Sequence, residues 1–160
     1  MVARQLLTSK SDRWFTPPDL LREVDAFLGP GWYDPCPACV AGEPPEDGLR
    51  ESWAGLRTYL NPPYGGRGGR KIGPWIDKAM SEPVAEIVLL LPARTDTRWF
   101  RPLYDHTIVF IRGRLHFSNH KDSAPFPSAL VYRGPRAATF AAAFGHRGAV
   151  LARYQEGRRR

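Results

Sequence analysis

The strongest constraint on how this chain can fold lies at Leu60-Asn61-Pro62-Pro63-Tyr64-Gly65-Gly66. Thr58 to Leu60 is β-branched, aromatic and apolar, and reads as the end of a strand. Two consecutive prolines stop it there, because neither carries a backbone N–H and each holds the residue before it extended. The turn they force presents acceptors. One is the Pro62 carbonyl, which has no neighbouring N–H from Pro63; the other is the Asn61 side-chain oxygen, when that side of the amide faces outward. Two acceptors suit an amino group with two N–H donors, and both bonds together draw a conjugated NH₂ towards tetrahedral geometry and free its lone pair. Tyr64 adds a flat π-face for a planar base, an interaction worth roughly 1–3 kcal/mol. The pattern is that of a pocket for an aromatic amine. The structural alternative is a plain turn, with Tyr64 as the anchor of a loop.

The rest of the chain sets the frame. Its 160 residues, 42% hydrophobic, suffice for one core. The longest apolar block, Ile87 to Leu91, has the length of a buried strand and not of a membrane helix. Met1 to Arg13 has no apolar signal-peptide core, so no membrane partner and a cytoplasmic location are expected. The net charge of +7 and pI near 9.8 favour a polyanion partner. Arg158-Arg159-Arg160 can be a solvated tail, but Arg67, Arg70 and Lys71 directly follow the proline turn. Arg94, Arg98, Arg101, Arg112 and Arg114 follow two later strand candidates, close to Trp99, Phe100 and Phe117, a nucleic-acid-binding composition.

Cys36-Pro37-Ala38-Cys39 has the look of a metal or redox motif. Zinc would need a second ligand pair, and among the histidines only His116 and His120 are suitably spaced, far along the chain. A redox pair would open a helix, whereas prolines flank this one. No metal is expected.

Residues 1–13 read as a flexible basic arm, 14–157 as one domain and 158–160 as a basic tail. Thr16 is the expected N-cap of a first helix, with Pro17 at its first position, Leu20, Leu21, Val24, Phe27 and Leu28 on one face, and Gly29-Pro30 as its end. A short strand over Trp32 to Asp34 then meets Pro35, and residues 35–56 read mostly as loop. Further strands are expected at Thr58–Asn61, Glu86–Leu91, Thr107–Arg112 and Ala129–Arg133. Helices are expected from Pro74 to Met80 and from Arg98 to Tyr104, while Ala137 to Tyr154 can be a helix, a strand or one of each. The unbroken Ile/Val/Leu run at 86–91 suits the middle of a parallel sheet, and the alternation as a whole predicts a compact α/β doubly wound fold. Asp34, at a strand end before a small-residue turn, stands where such folds hold nucleotide-like ligands.

Asn-Pro-Pro-Tyr is similar to the signature of S-adenosylmethionine-dependent methyltransferases acting on planar amino nitrogens, whose acceptors include DNA bases, RNA guanine and a glutamine amide. Further blocks narrow the likeness: Trp14-Phe15-Thr16-Pro17, Tyr33-Asp34-Pro35-Cys36, Asp47-Gly48-Leu49 with Trp53, Trp75, Leu90 to Phe100, Ile111 to Phe117, and Ala124 to Ser128. In this order, over roughly residues 13–133, the chain resembles the phage-type DNA N6-adenine methyltransferases of the Dam-like group. The resemblance implies a class I methyltransferase-like (Rossmann-like) sheet, S-adenosylmethionine as cofactor and adenine in DNA as acceptor. By the same pattern Thr16, Pro17, Asp34, Pro35 and Asp47 belong to the cofactor pocket and Asn61, Pro62, Pro63 and Tyr64 to the catalytic turn. Arg67, Arg70, Lys71, Arg94 and Arg114 are then the expected DNA contacts. If phage or prophage encoded, the protein would act in the cytoplasm of a bacterial host. There are two departures. Cys36-Pro37-Ala38-Cys39 stands where many methyltransferases keep a G-x-G loop, and no insertion is long enough for a separate target-recognition domain. Base preference is therefore expected from loops 65–73 and 113–127. Methylation of cytosine N4 and a catalytically inactive DNA-binding relative are the alternatives.

Overall fold

The computed structural model describes residues 13–37, 47–65 and 71–153. The arm up to residue 12, Arg67, Arg70, Cys39 and the basic tail lie outside the described residues.

Among the described residues five strands form one sheet: β1 (Arg57–Leu60), β2 (Glu86–Pro92), β3 (Thr107–Ile111), β4 (Ser128–Arg133) and β5 (Gly148–Leu151), in the order β1-β2-β4-β3-β5. The helices are α1 (Pro18–Leu28), α2 (Asp47–Arg50), α3 (Ile72–Ser81) and α4 (Ala137–Phe144). The protein is thus an α/β domain, as expected, with a mixed sheet where the apolar run at 86–91 suggested parallel neighbours. β1 and β2 run parallel, whereas β4 is antiparallel to both β2 and β3, and β5 is antiparallel to β3. The apolar run of β2 reports burial, and every one of its positions is buried. Cover on both faces produces that run whatever the direction of the neighbouring strands.

Other expectations shift locally. Helix α1 starts at Pro18 with Pro17 as its cap and no side-chain cap hydrogen bond, because the Thr16 hydroxyl is bonded instead to the Tyr59 hydroxyl at 2.6 Å. Its end is as expected, with Gly29 at φ 76°. The strand at 32–34 contracts to a single parallel bridge between Tyr33 and Thr58. Helix α3 begins two residues before Pro74, which sits in the first turn where its missing N–H costs nothing. Between Arg98 and Tyr104 no α-helix forms; a 3₁₀ helix covers Arg101–Asp105, with Pro102 in its first turn. After α4 a 3₁₀ turn leads into β5, so the last segment is one helix and one strand.

Aromatic rings from separate elements close the core. Phe27 of α1 meets Tyr132 of β4 and Phe140 and Phe144 of α4, each edge to face. Buried Glu86 accepts from Tyr132 Oη at 2.7 Å and from Arg136 Nη2 at 2.7 Å, pinning the start of β2 to the end of β4. Arg136 also donates to the Phe27 carbonyl at 2.9 Å and covers its ring. At the other end, Arg147 binds Asp19 and Glu23 in the first turns of α1, and both carboxyls are held below their ordinary range by the bond to its guanidinium.

The pairing has a consequence for function. The C-terminal ends of β1, β2 and β3 and the start of β4 share one edge, since Leu60 pairs with Leu89, Pro92 with Ser128 and Phe110 with Ala129. Asp34, one residue past the Tyr33 bridge, joins them. Despite its mixed directions the sheet gathers the proline turn, the Arg94 loop and loop 113–127 at one end, where open α/β sheets bind ligands.

Candidate active site

At that end lies a cavity of about 330 Å³. Asn61, Pro62 and Pro63 form one wall, Thr16 and Tyr59 lie beside them, and Asp34, Cys36, Trp32 and Leu21 also line it. The cavity is near the lower limit of small-molecule sites, with apolar walls and few polar groups.

Two charged side chains line it, Arg13 and Asp34, and Asp34 is the acid. Partial burial pushes its carboxyl up to about 6, opposed by the Cys36 N–H that donates to Oδ1 at 2.9 Å. Among the described residues no cation pairs with it. Thr16 stands opposite as a relay, its oxygen bonded to Tyr59 Oη and accepting from Asn61 Nδ2 at 3.1 Å. Trp32 is fixed by its Nε1–H to Asp25 at 2.9 Å and meets the Tyr59 ring edge to face.

The Asn61 amide is clamped on both sides. Its Nδ2 donates to the Trp14 carbonyl at 2.5 Å, and its Oδ1 accepts from the Tyr64 hydroxyl at 2.6 Å. Trp14 O can only accept, which orients the amide with nitrogen towards Trp14 and oxygen towards Tyr64. Tyr64 itself departs from the expected open position. Its ring is 4% exposed, does not line the cavity, and lies edge-on to Phe117 and Phe126. These two aromatic neighbours thereby cover the ring that the sequence offers to a base. Burial raises the phenols of Tyr59 and Tyr64, so both remain protonated.

Sequence reasoning gave no role to the strap that completes the site. Loop 117–120 holds residues 13–15 across the cavity: Ser118 N donates to Phe15 O at 3.0 Å, and Phe15 N to Asn119 Oδ1 at 2.9 Å. His120 stacks on Trp14 at 3.9 Å between centroids. These pairs are over a hundred residues apart in the chain, and no local pattern announces them.

The other expected cofactor residues are placed as follows. Pro17 and Pro35 are buried behind the cavity wall and do not line it. Asp47 opens α2, and of its side chain nothing is described. Its neighbour Gly48 does show why the helix stands there: a Cβ would lie 1.9 Å from the Pro35 carbonyl oxygen. Trp53 Nε1 donates to the Gly48 carbonyl at 2.8 Å, locking α2 behind the Asp34-Pro35 turn.

The basic residues divide by commitment. Arg57, Arg136 and Arg147 hold carbonyls or carboxylates within the fold. Arg94, Arg98, Arg101, Arg112 and Arg114 are exposed and enter none of those pairs. Lys71 is also exposed, next to the undescribed 66–70 segment that includes Arg67 and Arg70. Among the described residues no group of three or more His, Cys, Asp or Glu side chains could hold a metal ion, and no helix is long and apolar enough to cross a membrane.

Comparison with known proteins gives one match. The family model described as DNA N-6-adenine-methyltransferase (Dam) matches residues 4–130. No curated protein and no solved structure matches significantly.

Proposed function

The chain belongs to the DNA N-6-adenine-methyltransferase (Dam) family, whose members are site-specific, adenine-specific DNA methyltransferases, and from that premise we propose how this site carries out the transfer. S-adenosylmethionine is the methyl donor, and the target adenine reaches the cavity by leaving the duplex, at a cost of a few kcal/mol. The supporting observation is that Asn61 and Pro62 open onto the same cavity as Asp34. An amine-accepting turn and a carboxylate that no cation pairs among the described residues therefore face one space.

The residues fit that cofactor. An ionised Asp34 can accept from ribose hydroxyls, and its charge favours a cationic ligand. Trp32 and Leu21 offer apolar surface to a purine. When bound, S-adenosylmethionine supplies an electrophilic methyl group on a sulfonium. The chain's own residues do the positioning. Asn61 Oδ1 has two lone pairs, one taken by Tyr64, and the second accepts an N–H of the adenine amino group. The Pro62 carbonyl accepts the other N–H. With both protons engaged, the amino lone pair is turned out of conjugation, and the nitrogen sheds a proton only after becoming cationic, so no general base is required. Orientation and fixed dipoles do most of the work. The one-ended gathering of ligand-facing loops supports a class I methyltransferase-like, Rossmann-like reading of the sheet.

DNA lies across the exposed Arg94 and Arg114, with Arg67, Arg70 and Lys71 as further phosphate contacts. Asn61→Ala tests the assignment: it should abolish methyl transfer and leave cofactor affinity near normal. Turnover close to wild type would remove Asn61 from the acceptor site.

A further inference from the structure

The side chain that follows the two prolines has a job its ring cannot explain. Tyr64 is three residues beyond Asn61, and its phenol lies 2.6 Å from Asn61 Oδ1 and 3.0 Å from the Leu90 carbonyl of β2. A phenol carries one proton, so the two acceptors share it, and the shorter arm belongs to the Asn61 amide. The ring is sealed between Phe117 and Phe126 and turns no face to the cavity.

We infer that Tyr64 is a positioning residue: its hydroxyl, anchored to the β2 backbone, fixes the Asn61 amide with one oxygen lone pair aimed at the substrate amine. This rests on the methyl-transfer reading above. Three contacts then define the amide completely. Trp14 O and Thr16 Oγ1 hold the nitrogen side, Tyr64 holds the oxygen side, and β2 supplies the fixed point. The bond also polarises the amide: an O–H donated to Oδ1 makes the Nδ2 protons better donors to Trp14, so the clamp tightens cooperatively. Without the hydroxyl, Oδ1 loses the contact that selects which lone pair faces the cavity. The distance and angle to a bound amine are then free to drift, and small misplacements of that kind can cost about 10²-fold in rate.

Tyr64→Phe separates this role from the two others the residue could have. It keeps the ring, so a base platform or a core anchor predicts unchanged turnover. The positioning role predicts a kcat about 10–100-fold lower, with the KM for DNA and the Kd for S-adenosylmethionine within twofold of wild type. Activity is expressed per folded molecule, judged by near-UV circular dichroism. A kcat within twofold of wild type overturns the inference, whatever happens to KM. So does a fall in kcat matched by an equal loss of cofactor affinity, which would report a damaged cavity. A wild-type protein that methylates no DNA would instead defeat the methyl-transfer reading, before any variant is made.

Discussion

Asp34→Asn should make the protein more stable and a poorer binder of its cofactor. The structure supplies the size of the first effect. Burial raises the carboxyl from 3.8 to about 6. Two units at roughly 1.4 kcal/mol each give about 3 kcal/mol as a ceiling, and the opening of Asp34 to the cavity lowers this to about 1–3 kcal/mol. The sign follows from the protons. Below pH 3.8 the group is neutral in both states and costs nothing. Between 3.8 and about 6 the unfolded chain ionises first, so stability falls as pH rises, and above about 6 the whole cost is present. Asparagine keeps an oxygen for the Cys36 N–H and removes the charge. Urea unfolding of both proteins from pH 4 to 8 gives the difference curve, in which the other carboxylates cancel. The variant should gain progressively through that window and level off above about pH 6.5. S-adenosylmethionine should then raise its melting temperature less than that of wild type at equal concentration. A difference curve flat in pH would refute the burial argument. An unchanged cofactor affinity would make Asp34 a purely structural residue.

Replacing Arg94 and Arg114 together by alanine should lower DNA affinity and reduce the slope of log K against log salt by about 2, since each phosphate contact contributes about 0.9; an unchanged slope would place that end of the sheet away from the phosphates. Arg136→Ala should destabilise the fold by about 2–3 kcal/mol, because buried Glu86 keeps only the Tyr132 hydroxyl. Denaturant unfolding checks this, and a loss below about 0.5 kcal/mol would mean that the Arg136 bond does not hold Glu86 in the fold. Neither change should alter cofactor affinity.

What the sequence disclosed depended on how local the signal was. The strand before Asn61 was legible because two prolines end it, and the helix at 18–28 because its apolar face and Gly29 bracket it. The buried run of β2 was legible as burial but not as direction, since a strand covered on both faces reads alike beside parallel or antiparallel neighbours. Asn61, Pro62 and Asp34 could be placed at strand ends, and the structure brings all three to one cavity. The strap formed by Trp14 and His120 was not legible, nor was the seat of Gly48 against Pro35, because each depends on contacts between distant segments. Tyr64 shows the limit of motif reasoning. Its chemistry offers either a π-face or a hydroxyl, and the choice rests with Phe117 and Phe126, more than fifty residues away in the chain.

The central claim is that the acceptor pair of Asn61 and Pro62 receives the amino group of adenine in DNA. Incubating the protein with methyl-labelled S-adenosylmethionine and unmethylated duplex DNA, then digesting the DNA to nucleosides, tests it most directly. The account predicts label in N6-methyladenine, and none when Asn61→Ala replaces the wild type. Label in N4-methylcytosine, or no label in DNA at all, would contradict it.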